Sequence, residues 1–188
     1  MRLLITIIFL SGMLHASAQE KMEREFKIKQ EQAPAIAKKY IDEVFKGKVK
    51  WYQEYNENGM YYEAKFRKNK KRFSVKFDST GILYDVEELF KFKSTDFSGK
   101  SSIETFLENK FQRWKVTKAQ YQWIGDPAVL RKYLLEEIAP VSISPNFELV
   151  VRGKNKGDIG YFEFIFNESG QLISEKRYAD DNLNNLIF

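Results

Sequence analysis

Residues 73–83 read FSVKFDSTGIL and residues 162–172 read FEFIFNESGQL, and the two stretches share one pattern. In each, aromatic or apolar residues alternate with other residues, and a short polar segment that ends in glycine follows. Alternation with a period of two is typical of a β-strand with one buried face, and Asp, Asn, Ser and Gly are common in tight turns. Each stretch therefore predicts a strand, a tight turn and the start of a second, antiparallel strand.

The sequence around residues 73–83 predicts one helix and further strands. Apolar residues recur at helical spacing from Lys29 to Phe45, Pro34 fits the first turn, and Gly47 ends the pattern. Alternation then resumes, and Asn58-Gly59 is a strong signal for a two-residue hairpin turn. We expect a helix followed by four short antiparallel strands, at residues 49–55, 61–67, 72–77 and 82–87.

The second half repeats this order after a polar connector at residues 94–100. Ser101 and Glu104 have the spacing of a capping box, and the apolar residues after them indicate a helix that reaches Trp114. Asp126-Pro127 predicts an extra helix that runs to about Ile138. Strands are expected at residues 116–123, 147–152, 161–166 and 172–178.

The two halves are predicted to be related by duplication, because residues 62–66 (YEAKF) also match residues 147–151 (FELVV). The predicted fold class is therefore α+β, with two tandem units that each consist of a helix packed on a short antiparallel β-sheet. The extra helix belongs to the second unit. The predicted units are residues 19–93 and residues 94–188.

The first eighteen residues have the features of a secretory signal peptide. Arg2 supplies a positive charge, Leu3–Leu10 is an unbroken apolar run, and Ala16-Ser17-Ala18 is a cleavage signature. A membrane anchor was the alternative, but a spanning helix needs about 20 apolar residues. We expect cleavage after Ala18 and a periplasmic or secreted protein that is not integral to a membrane.

Composition excludes several classes of enzyme. The 188 residues include 31 Lys+Arg and 26 Asp+Glu, no cysteine, and one histidine, His15, which lies in the predicted signal peptide. A mature chain without Cys and His has no Cys-His pair, no Ser-His-Asp triad and no zinc site with nitrogen or sulfur ligands. The acidic turns at residues 78–81 and 167–170 lack calcium-loop spacing. We expect no catalytic residue, no cofactor and no metal.

The signal peptide and the two helix-plus-strand units resemble the PepSY-like proteins. The resemblance is carried by KVKWY (48–52), YEAKF (62–66), FSVKFDSTGIL (73–83) and FEFIFNESGQL (162–172). PepSY-like proteins are small exported bacterial proteins with a fold similar to that of the β-lactamase-inhibitor protein. The resemblance covers most of residues 26–178 and is poor over 124–145. It implies a periplasmic or secreted binding role, with inhibition as one form of it.

Strand alternation places a set of charged and tyrosine residues on the sheet face away from the helices. The residues predicted to bind a partner are Tyr52, Glu54, Tyr61, Glu63, Lys65, Lys76, Glu148 and Glu163. Tyrosine is enriched at protein interfaces, where it contributes area at a low entropic cost. The leading hypothesis is an exported, non-enzymatic binding module that recognises a protein or a cell-envelope component through this exposed face.

Two other functions are compatible with the sequence. A hydrolase acting on envelope glycan needs two carboxylates about 5–10 Å apart, and Glu54, Glu63, Glu148 and Glu163 all lie on predicted strands. The five cations among residues 67–72 suit either a solvated turn or contact with an anionic surface. Nucleic acid is not an expected partner, because the aromatic residues beside this turn fall at core positions.

Overall fold

The computed structural model describes residues 19–139 and 143–178, with the backbone alone at residues 19 and 20. The predicted signal peptide lies outside the described residues. Ten strands form one sheet: β1 (Gln19–Lys21), β2 (Arg24–Ile28), β3 (Lys50–Asn56), β4 (Gly59–Lys68), β5 (Lys71–Asp78), β6 (Leu83–Leu89), β7 (Arg113–Trp123), β8 (Asn146–Asn155), β9 (Asp158–Phe166) and β10 (Leu172–Tyr178). The strand order is β1-β10-β9-β8-β7-β6-β5-β4-β3-β2. All neighbours are antiparallel except β1 and β10, which are parallel.

Three short α-helices and one 3₁₀ turn accompany the sheet. They are α1 (Ala35–Val44), α2 (Lys100–Lys110), α3 (Pro127–Leu134) and the 3₁₀ turn Gln30–Gln32. The Asp126 side chain caps α3 as predicted, since it accepts hydrogen bonds from the backbone N–H of Ala128 and Val129. The capping box predicted at Ser101 is wrong, because α2 begins at Lys100 after Gly99. Within the described ranges, no helix has the length and hydropathy needed to cross a bilayer.

The predicted fold class of two tandem helix-on-sheet units is wrong. The two halves share a single sheet, because β6 at the end of the first half pairs directly with β7 of the second, with Val86 opposite Trp123 and Leu89 opposite Gln120. Two separate sheets would each leave unpaired edge N–H and C=O groups, and pairing the edges satisfies those groups. The boundary between residues 93 and 94 stays a prediction.

The helices cover the same face of the sheet. Both α1 and α3 pack on strands of the first half, so the extra helix predicted for the second unit covers the first half instead, and α2 packs on the second half. One apolar cluster joins Ile41 of α1 and Leu134 of α3 to residues of β3–β6, among them Val75 and Phe77. A second cluster joins Leu107 of α2 to residues of β7–β9. We call the opposite face of the sheet, away from the helices, the inner face.

The sheet curls until its two edges approach each other. β1 lies at one edge and β2 at the other, yet only Met22 and Glu23 connect them. Three Cα steps span at most about 11 Å, so the edge strands must lie close together. A salt bridge between Lys176 of β10 and Glu57 in the β3–β4 turn joins the same two regions. The inner face therefore lines the inside of a barrel-like curl, and the helices lie outside it.

Candidate functional site

All eight residues predicted to bind a partner lie on the inner face. The register places Tyr52, Glu63 and Lys76 side by side on β3, β4 and β5, and Glu148 and Glu163 on β8 and β9. The predicted exposure of this face is wrong for its carboxylates. The exposed fractions are 2% for Glu54, 5% for Glu63, 8% for Glu148 and 6% for Glu163. The curl turns their side chains toward one another and away from bulk water.

The inner face carries many more charges than the sequence analysis proposed. Its carboxylates are Glu23, Glu25, Glu54, Glu63, Asp85, Glu87, Glu148 and Glu163, and its lysines include Lys21, Lys65, Lys76 and Lys118. Asp85, Glu87 and Lys118 were missed, although the alternation along β6 and β7 contains the signal that places them. Burying so many charges is stable only where they are paired or neutralised.

Lys76 is the central cation of this cluster. Its Nζ lies 2.9 Å from Glu54 Oε2, and its neighbours directly across the sheet are Glu63 on β4 and Asp85 on β6. Burial lowers the pKa of a lysine, but the attraction of the surrounding carboxylates outweighs it and raises the pKa of Lys76 well above its ordinary value. Lys76 therefore stays charged and compensates several buried carboxylates at once.

Glu25 and Glu63 form a hydrogen-bonded carboxyl pair whose two pKa values differ widely. Burial and the repulsion and hydrogen bonding of Glu63 raise the pKa of Glu25 to about 7. Burial opposes ionisation of Glu63 too, but Lys65, Lys76 and hydrogen bonds from Glu25 and Ser74 lower its pKa to about 2. Lys65 Nζ joins the two carboxyl groups, at 2.6 Å from Glu25 Oε1 and 2.9 Å from Glu63 Oε2.

Three other inner carboxyl groups hold their protons near neutral pH. Burial raises the pKa of Glu87 and of Glu148 to about 8, and nearby acids add to the effect. Burial likewise raises the pKa of Asp85 to about 7. The Gln122 side chain donates to Asp85 Oδ2 over 3.0 Å, while Asp85 Oδ1 has no hydrogen-bond partner among the described residues. An unpartnered oxygen is tolerated better on a neutral carboxyl group than on a carboxylate.

A cavity of about 730 Å³ opens at one end of the curl. β3 begins at Lys50, which pairs with Lys65 of β4, so the part of β4 after Lys65 has no strand beside it on that edge. The cavity lies at this edge, and side chains from both faces of β4 line it. The lining residues are Phe45, Lys48, Lys50, Tyr52, Glu63, Lys65, Phe66, Arg67, Arg72, Phe73, Ser74, Glu87, Leu89, Lys118 and Gln120. We call this space the basic cavity, because six of its lining residues are Lys or Arg.

Three of the eight predicted partner-binding residues line the basic cavity, and the other five do not. Tyr52, Glu63 and Lys65 line it, and Lys65 Nζ lies 4.8 Å from the centre of the Tyr52 ring. Four others lie on the inner face but do not line the cavity: Glu54, Lys76, Glu148 and Glu163. Lys76 forms a salt bridge with Glu54, and Lys21 forms one with Glu163. Tyr61 is half-buried and packs edge-to-face on Tyr84 at 5.2 Å between ring centres.

In the basic turn at residues 67–72, some side chains fix the turn to the rest of the protein and others line the basic cavity. Lys68 Nζ donates to the Leu134 carbonyl over 2.6 Å, and Asn69 donates to Glu136 over 2.7 Å, so the turn is fixed to the end of α3. Lys71 forms a 3.0 Å salt bridge with Glu88. Arg67 and Arg72 belong to the rim of the basic cavity. Three of the turn's polar side chains thus hold the structure, and two of its five cations line the basic cavity.

The acids of the inner face do not form a metal site. Within residues 19–139 and 143–178, no group of three or more Asp, Glu, His or Cys side chains is arranged to hold a metal ion. Lysines are interspersed among the carboxylates, as the salt bridges of Lys21, Lys65 and Lys76 show. The cluster neutralises itself with ammonium groups and protons.

Comparison with known proteins gives a fold and no family. No protein-family model matches the chain, and no curated protein sequence matches it. A DUF2874 family protein from Bacteroides ovatus ATCC 8483 is 13% identical over 84% of this chain and 99% of its own, with a TM-score of 0.54. A BLIP-like protein from Bacteroides fragilis NCTC 9343 is 16% identical over 77% of this chain and 86% of its own, with a TM-score of 0.49.

These similarities concern the fold alone. The first shows that the chain shares its architecture with the Bacteroides ovatus protein over almost all of that protein's length. The second protein is described as BLIP-like, and its fold similarity to this chain is weaker. Neither description names PepSY or an enzymatic activity. Membership in the PepSY-like proteins stays a prediction.

Proposed function

We propose that this protein is an exported, non-enzymatic binding module whose recognition site is the basic cavity at the open end of the curled sheet. The observation that supports the proposal is a cavity of about 730 Å³ lined by both aromatic and charged side chains. Sites for small ligands usually have about 300–1,000 Å³ and combine apolar walls with a few convergent polar groups. The export of the protein rests on the signal-peptide pattern of residues 1–18.

The partner is proposed to be a protein or a cell-envelope component that inserts a chemical group into the basic cavity. This changes the proposed contact surface from a flat sheet face to a concave site. Tyr52, Glu63 and Lys65 are the predicted contact residues that this site retains. Inhibition of an enzyme is one form of the same function, in which the inserted group belongs to the enzyme.

Filling the basic cavity should weaken the binding of a neutral apolar probe. Ser74 lines the cavity from β5, so Ser74→Trp should weaken binding of the neutral dye Nile red at least tenfold in a fluorescence titration. Leu89→Trp, on β6, blocks the same space from another strand. Ser79→Trp is the matched control, since Ser79 lies in an exposed turn.

Circular dichroism and urea unfolding identify variants that fold, and the result is read from those. Nile red binding that survives in a folded Ser74→Trp or Leu89→Trp variant would contradict the proposed site. The same conclusion follows if the unaltered protein does not bind the dye at all.

A hydrolase acting on envelope glycan is the second candidate, and one observation favours it. Glu63 and Glu87 both line the basic cavity, and the pKa values of their carboxyl groups are held apart, at about 2 and about 8. One carboxylate and one neutral acid are the pair that glycoside hydrolysis requires. Their strands, β4 and β6, are two positions apart in the sheet, or about 10 Å at the usual strand spacing.

If this second candidate is correct, Glu87→Gln should reduce glycan cleavage at least a hundredfold, because the amide cannot donate the proton that the leaving group needs. The measurement is release of reducing ends from purified peptidoglycan. Glu108→Gln is the control, since Glu108 is exposed on α2. Absence of reducing-end release by the unaltered protein would exclude the hydrolase and leave the binding function in place.

A further inference from the structure

We infer that the ligand of the basic cavity is an amphipathic anion, with a carboxylate or phosphate head and an apolar body. The inference rests on the proposed function, because it takes the cavity to be a binding site, and it adds the chemistry of the ligand. Three features of the site carry it: the sign of the lining charges, the placement of like charges opposite one another, and an apolar wall beside them.

The lining of the cavity has a large excess of positive charge. Six lining residues are cationic and two are acidic, and the cationic set is Lys48, Lys50, Lys65, Arg67, Arg72 and Lys118. Of the two acids, Glu87 holds its proton near neutral pH because burial raises its pKa to about 8. The other lining acid, Glu63, keeps its negative charge and pairs with Lys65. A cavity with charges of one sign concentrates ligands of the other sign.

Like charges lie directly opposite one another at the rim. Lys50 faces Lys65 across β3 and β4, and Arg67 faces Arg72 across β4 and β5. Like charges in directly opposed cross-strand positions destabilise a sheet. In the part of the chain that the structure describes, Lys50, Arg67 and Arg72 form no salt bridge. An anion seated among them would relieve this repulsion.

The charged groups are of the type that recognises carboxylate and phosphate. The arginine guanidinium binds both anions through two parallel hydrogen bonds, and the lysine ammonium adds a point charge. Arg67 and Arg72 project from one strand pair at the mouth, while Lys118 lines the cavity from β7. The cations therefore approach a bound head group from different strands.

An apolar wall adjoins the cations. Phe45 stacks on Phe66 with 4.5 Å between ring centres, and Phe66 stacks on Phe73 at 5.6 Å. These three rings and Leu89 all line the cavity. Burying CH₂ groups against such a wall removes apolar surface from water, so the site favours an anion that carries an apolar body over a bare anion.

The inference is tested in the full mature protein with ligands that share a twelve-carbon chain and differ in their head groups. The measurement is displacement of Nile red at ligand concentrations below those that form micelles. Dodecanoate and dodecyl phosphate should displace the dye at concentrations at least tenfold lower than dodecyl maltoside or dodecyltrimethylammonium. Inorganic phosphate and acetate should not displace it. Comparing dodecanoate with dodecyl phosphate shows whether the cavity binds a carboxylate head or a phosphate head more tightly. High salt should weaken both anions, because exposed cations are screened.

The double variant Arg67→Gln/Arg72→Gln should weaken binding of dodecanoate and dodecyl phosphate at least tenfold more than it weakens binding of the neutral dye Nile red. Lys91→Gln/Lys93→Gln is the control with the same change in charge, at exposed positions outside the cavity. If the neutral or cationic compound displaces the dye as well as the anions do, the inference is wrong while the binding site stands. If Nile red itself does not bind, the proposed function fails first.

Discussion

Replacement of Lys76 with methionine should lower the free energy of unfolding by about 3–5 kcal/mol at pH 7, the range expected when one partner of a buried ion pair is removed. Lys76 Nζ contacts Glu54, which is 2% exposed, and it faces Glu63 and Asp85 across the sheet. Methionine has nearly the same length and fills the same space, so the loss comes from uncompensated carboxylates. Urea unfolding followed by tryptophan fluorescence measures it.

Two further variants make this result specific to charge. Lys39→Met changes an exposed lysine of α1 and should alter the free energy of unfolding by less than about 0.5 kcal/mol. Adding Glu54→Gln to Lys76→Met removes one of the carboxylates left without its partner, so the double variant should be more stable than Lys76→Met alone. A loss below 1 kcal/mol in Lys76→Met would mean that the inner face does not depend on this lysine.

The free energy of unfolding should be greatest near pH 5 and should fall by several kcal/mol as the pH rises to 9. Burial raises the pKa of Asp85 to about 7 and that of Glu87 and Glu148 to about 8. Between the ordinary carboxyl pKa and these values, the folded protein binds more protons than the unfolded chain. Stability therefore decreases with rising pH over that interval.

Below pH 5 the dependence has the opposite sign. The pKa of Glu63 is about 2, because its lysine neighbours and hydrogen bonds outweigh burial, so the unfolded chain binds protons that the folded protein does not. Stability should therefore fall again as the pH drops toward 2. Urea midpoints measured at intervals between pH 3 and pH 9 would show the maximum.

The variant Glu87→Gln tests whether ionisation of an inner carboxyl group causes the loss of stability between pH 5 and pH 9. An amide mimics the neutral acid and cannot ionise, so this variant should lose less stability than the unaltered protein between pH 5 and pH 9. Glu108→Gln, on the exposed side of α2, should leave the pH dependence unchanged. A flat profile in the unaltered protein between pH 5 and pH 9 would contradict the proton-holding role of these buried acids.

The local elements were predictable because their signals lie within a few residues. The turns at residues 78–81 and 167–170 have the same hydrogen bonds: the Asp78 side chain accepts from the backbone N–H of Thr80 and Ile82, and the Asn167 side chain accepts from that of Ser169 and Gln171. The polar residue and the glycine that carry this geometry are visible in the sequence. The cap of α3 at Asp126 was predictable for the same reason.

The candidate site was predictable only in part. Strand alternation placed Tyr52, Glu63 and Lys65 on one face with Lys76. It gave no sign that this face closes on itself, so carboxylates expected in water are buried. The pKa values of Glu63 and Glu87 depend on neighbours from strands far apart in the chain. Arg67 and Arg72 were noted as a charged turn, but their position at a cavity mouth follows from the missing partner of β4.

The amino-acid sequence by itself determined β3–β10, the tight turns and the side of each of these strands that faces the helices, because period and turn chemistry are properties of short segments. The short edge strands β1 and β2 were not predicted. The tertiary structure alone decided that β6 pairs with β7, that Met22 and Glu23 bring the two edges together, and that a charged face becomes an interior. These outcomes depend on which backbone edges meet and on the curl of ten strands. Such long-range pairings are fixed by the free energy of the whole sheet.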